Sequence, residues 1–358
     1  MSRTKAKPGA FTGDRSRQIA GAALKAAWWG VTSVALRRVA GTGEEAPNDF
    51  TPASPPAPQG FVRRAWREAF DKDAVDVAAG LYPPMTPGGL SPSAALRQIA
   101  DLIADARHVE ARRRRGGGVE ARADAPPGGG FPTYYRQNFH FQSGGWFTPA
   151  SAQRYEAQVE ALFAGTAGAM RRRALSLLAK AWRGRDHRGL AILDLACGSG
   201  AFLTNLAAAF PRARLIGLDL SPAYLAEARR SGGTDDLIQA NAEHLPLADA
   251  GLDAVTCVYL FHELPPSVRP RVAAEIARVL KPGGLLAFAD SAQPSDEPHL
   301  ARLLEVFPAY FHEPYYQSYG KTDLTALFGA AGLRLVGDDR AFLTKAVLFE
   351  KVETPTRQ

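Results

Sequence analysis

From Leu190 onward the chain alternates between two hydrophobic rhythms. The runs 190–195, 214–219, 253–259 and 285–290 are apolar at nearly every position and read as strands buried on both faces. Between them, apolar residues recur at helical spacing over 200–209, 222–230 and 267–280, the last stopped sharply by Lys281-Pro282-Gly283-Gly284. A shorter run, 236–240, precedes an acidic and apolar loop. Helices are expected at 298–307 and 321–332, and two β-rich runs, 333–338 and 342–350, follow. Strand alternating with helix predicts an α/β domain with a doubly wound, mainly parallel seven-stranded sheet, the last two strands supplying an antiparallel edge.

Upstream the pattern changes. Tyr155, Val159, Leu162 and Phe163 carry helical spacing within 151–182. Residues 61–108 are mostly helical, interrupted at Tyr82-Pro83-Pro84 and restarted at Ser91-Pro92, an N-cap and first-turn pair. The Pro-rich stretch 47–58 reads as a linker. These shifts divide the chain into a basic segment and linker (1–58), a helical extension with a basic loop (59–130) and an α/β domain (131–358). That domain is entered through an aromatic segment, 131–147. There Tyr134, Tyr135, Phe139, Phe141, Trp146 and Phe147 surround Gln137, Asn138, His140 and Gln142, a composition suited to a binding lid or to a packed cap.

The 358 residues are 46% hydrophobic and 22% charged, which allows a sizeable core and excludes wholesale disorder. The net charge of +7 favours anionic surfaces without being a nucleic-acid footprint. The run Arg112–Arg115, followed by glycines, reads as a solvated loop before it reads as a nucleic-acid contact. The two cysteines, Cys197 and Cys257, lie in apolar strand-like runs, so neither a disulfide framework nor a zinc site is expected, and the chain reads as cytoplasmic. The N-terminus is basic, with Trp28 and Trp29 inside an apolar run too short to span a bilayer. It fits a packed helix, an anchor on an anionic membrane or an organelle transit peptide.

The chemistry concentrates where the first strand meets its helix. Asp194-Leu195-Ala196-Cys197-Gly198-Ser199-Gly200 is a glycine turn with an acid before it, and the next strand ends on a second acid, Asp219. Gly198 and Gly200 let the backbone approach a ligand where a Cβ would intrude. Asp219 is placed to accept hydrogen bonds from ribose hydroxyls. A carboxylate at position 194 would repel a pyrophosphate and attract a sulfonium with its ammonium group, which favours S-adenosylmethionine over a dinucleotide.

With Gly217-Leu218-Asp219-Leu220-Ser221, Ala240-Asn241-Ala242-Glu243-His244-Leu245-Pro246 and Arg278-Val279-Leu280-Lys281-Pro282-Gly283-Gly284, this segment resembles the class I S-adenosylmethionine-dependent methyltransferases. The resemblance is to the small-molecule branch that includes ubiquinone and menaquinone methyltransferases, and it covers about residues 190–290. It implies a Rossmann-like methyltransferase fold with Asp194, Ala196, Gly198 and Gly200 around the methionine part of the cofactor. It further implies Asp219 at the ribose, Asn241 and Ala242 at the adenine, Tyr259 beside the reactive methyl group, and Leu220 among the cofactor-binding residues. Most relatives carry Asp where Asn241 stands; Asn still offers an acceptor oxygen. His262 and Glu263, with His140 from the lid, are the candidate bases if the acceptor must lose a proton. Tyr134, Tyr135 and Tyr155 are candidates to close over the cofactor. The aromatics near His312-Glu313-Pro314-Tyr315-Tyr316 suit a ring-bearing or lipid-like acceptor. An RNA or protein methyltransferase and a non-catalytic cofactor-binding homologue stand as alternatives; nucleic acid is not the expected partner.

Overall fold

The computed structural model describes residues 28–32, 50–85, 92–126 and 130–353. Most of the basic N-terminal segment, and Ser91 with its capping role, lie outside the described residues. Among those described, no helix is long and apolar enough to cross a membrane.

Seven strands form one sheet: β1 (Ala191–Leu195), β2 (Arg214–Asp219), β3 (Leu237–Gln239), β4 (Leu252–Val258), β5 (Leu280–Ser291), β6 (Leu333–Ala341) and β7 (Thr344–Lys351). Their order is β3-β2-β1-β4-β5-β7-β6. The first five are parallel, and β7 runs antiparallel between β5 and β6. Strand order reverses beside β1, and the crevice at that switch point is where an open α/β sheet binds its ligands.

The helices, in chain order, are α1 (Phe61–Ala78), α2 (Pro92–Arg115), α3 (Pro149–Leu162), α4 (Ala167–Ala181), α5 (Ala201–Ala209), α6 (Pro222–Ser231), α7 (Arg269–Val279), α8 (Ala301–Tyr310), α9 (Tyr316–Tyr319) and α10 (Leu324–Ala330). Period-two alternation divides the sheet between two cores. Leu193 and Leu195 face α7 and α10, through Val272, Ile276 and Phe328. Ile192 faces α4 and α5, through Leu175, Leu178, Phe202 and Leu206. The same alternation turns Asp194 toward α4.

Three features depart from the sequence pattern. The helical spacing at 151–182 is two helices, with Thr148 capping α3 through Ser151 N and a turn at 163–166 before α4. Helix α7 ends at Val279, and Leu280 already pairs with Leu252; Lys281–Gly284 bulge from the edge before pairing resumes between Ala254 and Leu285. The run Arg112–Arg115 is no exposed loop but the last turn of α2. Arg113 and Arg114 pair with Glu110, Arg112 and Arg115 pair with Glu120, and buried Arg112 also donates to Phe141 O. Arg112 thus braces the aromatic segment from within, while Arg114 and Arg115 remain on the surface.

Candidate active site

A cleft opens at the carboxyl ends of β1, β2 and β4, where an open α/β sheet binds its ligands. Asp194, Ala196, Gly198, Asp219, Leu220, Asn241, Ala242, Tyr259 and Glu263 all line it. At Asp219, Gly198 N donates to Oδ2 at 2.9 Å and Ser221 N to Oδ1 at 2.8 Å, so the carboxylate ties the glycine turn to the start of α6. Burial still raises its pKa. Gly198 has φ +54, a conformation that favours glycine, and a Cβ there would meet only Tyr224 Cδ1, at 4.0 Å. Gly200 does not line the cleft. At φ +83, a Cβ there would lie 2.9 Å from Ala228 Cα, so this glycine lets α5 pack on α6 rather than admitting a ligand.

Asp194 is 2% exposed. Thr256 Oγ1 donates to its Oδ1 at 2.6 Å, while Oδ2 has no partner. Burial pushes its pKa up to about 7, against the Thr256 bond and Arg171, with Asp219 reinforcing the rise. Arg171 was not apparent in the sequence. It lines the cleft from α4, donates from Nη1 to Glu156 Oε2 at 2.7 Å, and leaves Nη2 buried and unbonded. Glu156 is itself braced by Ser199 Oγ at 2.6 Å. A bare carboxylate oxygen and a bare guanidinium nitrogen thus share one cavity.

Two non-glycine residues at the strand ends, Ala196 and Tyr259, adopt left-handed backbone with φ 58. Such strain persists only where the surrounding structure enforces it, and both residues face the cleft. The aromatic segment roofs the opening with Tyr134, Tyr135 and Trp146, joined by Tyr155 from α3. It is latched by Tyr134 OH donating to Glu243 Oε1 at 2.7 Å and by Ser221 Oγ donating to Trp146 O. Asn241 is braced by the same glutamate. Its Oδ1 accepts from Glu243 N at 2.9 Å, which leaves one lone pair of that oxygen for a ligand.

The three candidate bases separate. Glu263 lines the cleft; His262 and His140 do not. His262 is buried, with Nδ1 2.5 Å from Asp290 Oδ1, while Asp290 Oδ2 accepts from Phe261 N and His262 N. Burial favours its neutral form, but Asp290, with Glu313 and Glu263, outweighs it and pushes the pKa up to about 9. With its Nδ1 held by Asp290 and its ring outside the cleft wall, His262 anchors the turn after β4. His140 has φ 55, stacks edge-on to Trp146, Phe307 and Phe311, and faces Glu313 at 2.9 Å.

Residues 192–284 match the family model described as a methyltransferase domain. An uncharacterised methyltransferase of Synechocystis is 33% identical over 151 residues, covering 41% of this chain and 68% of that protein. The chain belongs to the class I S-adenosylmethionine-dependent methyltransferases. A ubiquinone/menaquinone biosynthesis C-methyltransferase of Syntrophotalea carbinolica is 36% identical over 161 residues, 44% of this methyltransferase and 64% of that one. An Aquifex aeolicus S-adenosylmethionine-dependent methyltransferase structure superposes on 57% of the chain and all of its own length, with 17% identity and a TM-score of 0.41. This methyltransferase therefore spans about two thirds of the length of the curated relatives named here.

Proposed function

We propose that this methyltransferase transfers the methyl group of S-adenosylmethionine to a small, ring-bearing acceptor that enters between the aromatic roof and Glu263. The observation that carries the reading is the pair of buried atoms without a hydrogen-bond partner in one cleft, Asp194 Oδ2 and Arg171 Nη2. Leaving either bare costs stability, and a ligand carrying both a cation and a carboxylate satisfies both at once. The amino-acid end of S-adenosylmethionine is such a ligand; a dinucleotide pyrophosphate is not.

On this reading Arg171 holds the carboxylate, Asp194 attracts the ammonium and sulfonium, and Ala196 with Gly198 flanks the methionine chain. Asp219 accepts from the ribose hydroxyls, while Leu220, Asn241 and Ala242 bound the adenine. When bound, the sulfonium supplies a methyl carbon with a good leaving group. The protein's part is alignment, worth roughly 7–11 kcal/mol in well-oriented reactions. Tyr155, Tyr259 and Glu263 stand where the acceptor must be aligned. The roof excludes water, and Tyr134–Glu243 holds it shut.

Titration calorimetry of the purified protein tests this. S-adenosylmethionine is expected to bind and NAD to give no heat; the reverse overturns the reading. Arg171→Met should weaken S-adenosylmethionine tenfold or more, yet bind decarboxylated S-adenosylmethionine as the native protein does. Equal losses for both ligands would remove Arg171 from the carboxylate.

A further inference from the structure

Arg171 reaches the cleft from α4, and the glycine turn after β1 lines the same cavity. One side chain joins the two. Glu156, on α3, accepts from Arg171 Nη1 through Oε2 at 2.7 Å and from Ser199 Oγ through Oε1 at 2.6 Å. Ser199 stands between Gly198 and Gly200, so a single carboxylate runs from the guanidinium to the turn. Arg171 also feels Glu160, one turn further along α3, and Asp194. Among the described residues, the bond from Glu156 is the one that continues to the glycine turn.

Helix α3 precedes the sheet in the chain, and its other side is fastened to the helical extension. Gln158 Nε2 donates to Asp105 Oδ2 at 3.0 Å, and Arg154 Nη2 meets Asp105 Oδ1 at 3.4 Å. Asp105 belongs to α2 and is buried. Arg154 and Gln158 are four residues apart and share one face of α3, whereas Glu156 lies about 200° round the axis from Arg154. Helix α3 is therefore a spacer, with one face resting on α2 and the other holding the guanidinium. An arginine on its long stem binds a carboxylate best when its rotamer is fixed beforehand, because the ligand then bears less of the ordering cost.

We propose that Glu156 is a positioning residue, which sets Arg171 against the glycine turn for the carboxylate of S-adenosylmethionine, and that α2 completes the cofactor site by holding α3 through Asp105. This rests on the assignment of Arg171 above and adds the residues that orient it. Glu156 has a second effect of opposite sign, since its charge competes with the incoming carboxylate for the same guanidinium. Substitution separates the two. In Glu156→Gln the amide oxygen accepts from Arg171 while the amide N–H donates to Ser199 Oγ, so the bridge persists without the charge. In Glu156→Ala both are gone.

Titration calorimetry of the full chain with S-adenosylmethionine and with decarboxylated S-adenosylmethionine reads the effect as the ratio of the two affinities. Glu156→Ala is expected to lower that ratio at least fivefold, toward its value in Arg171→Met, with affinity for the decarboxylated ligand changing less than twofold. Glu156→Gln should keep the native ratio or exceed it. Ser199→Ala, which removes the turn end of the bridge, and Asp105→Ala, which frees α3 from α2, should each lower it at least twofold. A merely structural role would weaken both ligands alike, so an unmoved ratio in Glu156→Ala overturns the proposal. A raised ratio there, or an equal fall in Glu156→Gln, overturns it too, because charge rather than position would then decide. Should Glu156→Ala not fold, Ser199→Ala takes its place, and a native ratio in it has the same consequence. A native ratio in Asp105→Ala alone overturns the part assigned to α2. If Arg171→Met leaves the ratio unchanged, the assignment of Arg171 fails together with this one; if it alone lowers the ratio, that assignment stands and this one falls.

Discussion

A carboxyl group buried with one bonded and one bare oxygen is held near its titration point by its surroundings, and Asp194 is such a group, with a pKa of about 7. A cationic ligand favours the ionised form, so the liganded protein holds fewer protons than the free one. Affinity for S-adenosylmethionine should therefore rise as pH increases toward 7, by up to about tenfold per unit, or roughly 1.4 kcal/mol, and level off above it. Calorimetry from pH 5.5 to 8.5 reads this directly; Asp194→Asn should flatten the profile, and an unchanged slope in that variant would assign the proton elsewhere. The sign is opposite for the unliganded fold. Its raised pKa means that the folded state binds the extra proton, so stability from this residue is present at low pH and lost as pH rises through about 7. Asp219 works differently, because both its oxygens already accept backbone N–H bonds. Asp219→Ala should weaken cofactor binding by about 2–3 kcal/mol, some 30- to 150-fold. It should also lower the melting temperature, since Gly198 N and Ser221 N lose their acceptor; unchanged affinity would remove Asp219 from the ribose.

At the scale of elements, the sequence was most readable where one periodicity ran uninterrupted. Strands β1, β2, β4 and the helices between them lie within two residues of their expected bounds, because buried parallel strands and amphipathic helices leave distinct apolar spacings. The departures have local causes. Lys281–Gly284 bulge within a strand that Leu280 has already joined, a pairing no local pattern announces. The end of α2 looked like a charged loop because its partners, Glu120 and Phe141 O, reach it only through the fold. Of the site, the acids and glycines at strand ends were legible; Arg171 was not, since it sits in a helix upstream of the glycine turn among two other arginines. Gly200 shows how a motif residue can be read for the wrong reason. It serves the contact between α5 and α6, so Gly200→Ala, strained at φ +83 and 2.9 Å from Ala228 Cα, should cost about 1–3 kcal/mol of stability. Urea denaturation measures that loss, with cofactor affinity of the folded fraction changing little. A large affinity loss at full stability would return Gly200 to the ligand.

Across the whole molecule, the helical extension is bound to the methyltransferase core by charge buried at the back of the very helix that presents Arg171. Arg172 and Arg173 follow it on α4 and are each 1% exposed in their side chains. Arg172 Nε meets Asp73 of α1 at 2.8 Å, and its guanidinium lies 4.2 Å from the Tyr82 ring centroid. Arg173 Nη1 meets Asp76 at 2.8 Å and Asp339 of β6 at 3.3 Å, and Nη2 donates to Tyr82 OH at 2.9 Å. A guanidinium cannot shed its proton to escape burial. Asp73→Ala therefore leaves Arg172 charged without its carboxylate, at a cost of about 3–5 kcal/mol, whereas Asp73→Leu combined with Arg172→Leu, which removes both charges, should recover most of it. The order of these stabilities in urea decides the matter: a single variant as stable as the native protein would mean that α1 is held by its apolar contacts alone. Arg171 and Arg172 are adjacent on one helix, about 100° apart around its axis, so a shift of α4 that follows the loss of Arg172's partner also moves Arg171. S-adenosylmethionine affinity should fall several-fold in Asp73→Ala and return in the double variant, coupling the extension to a cleft it does not line.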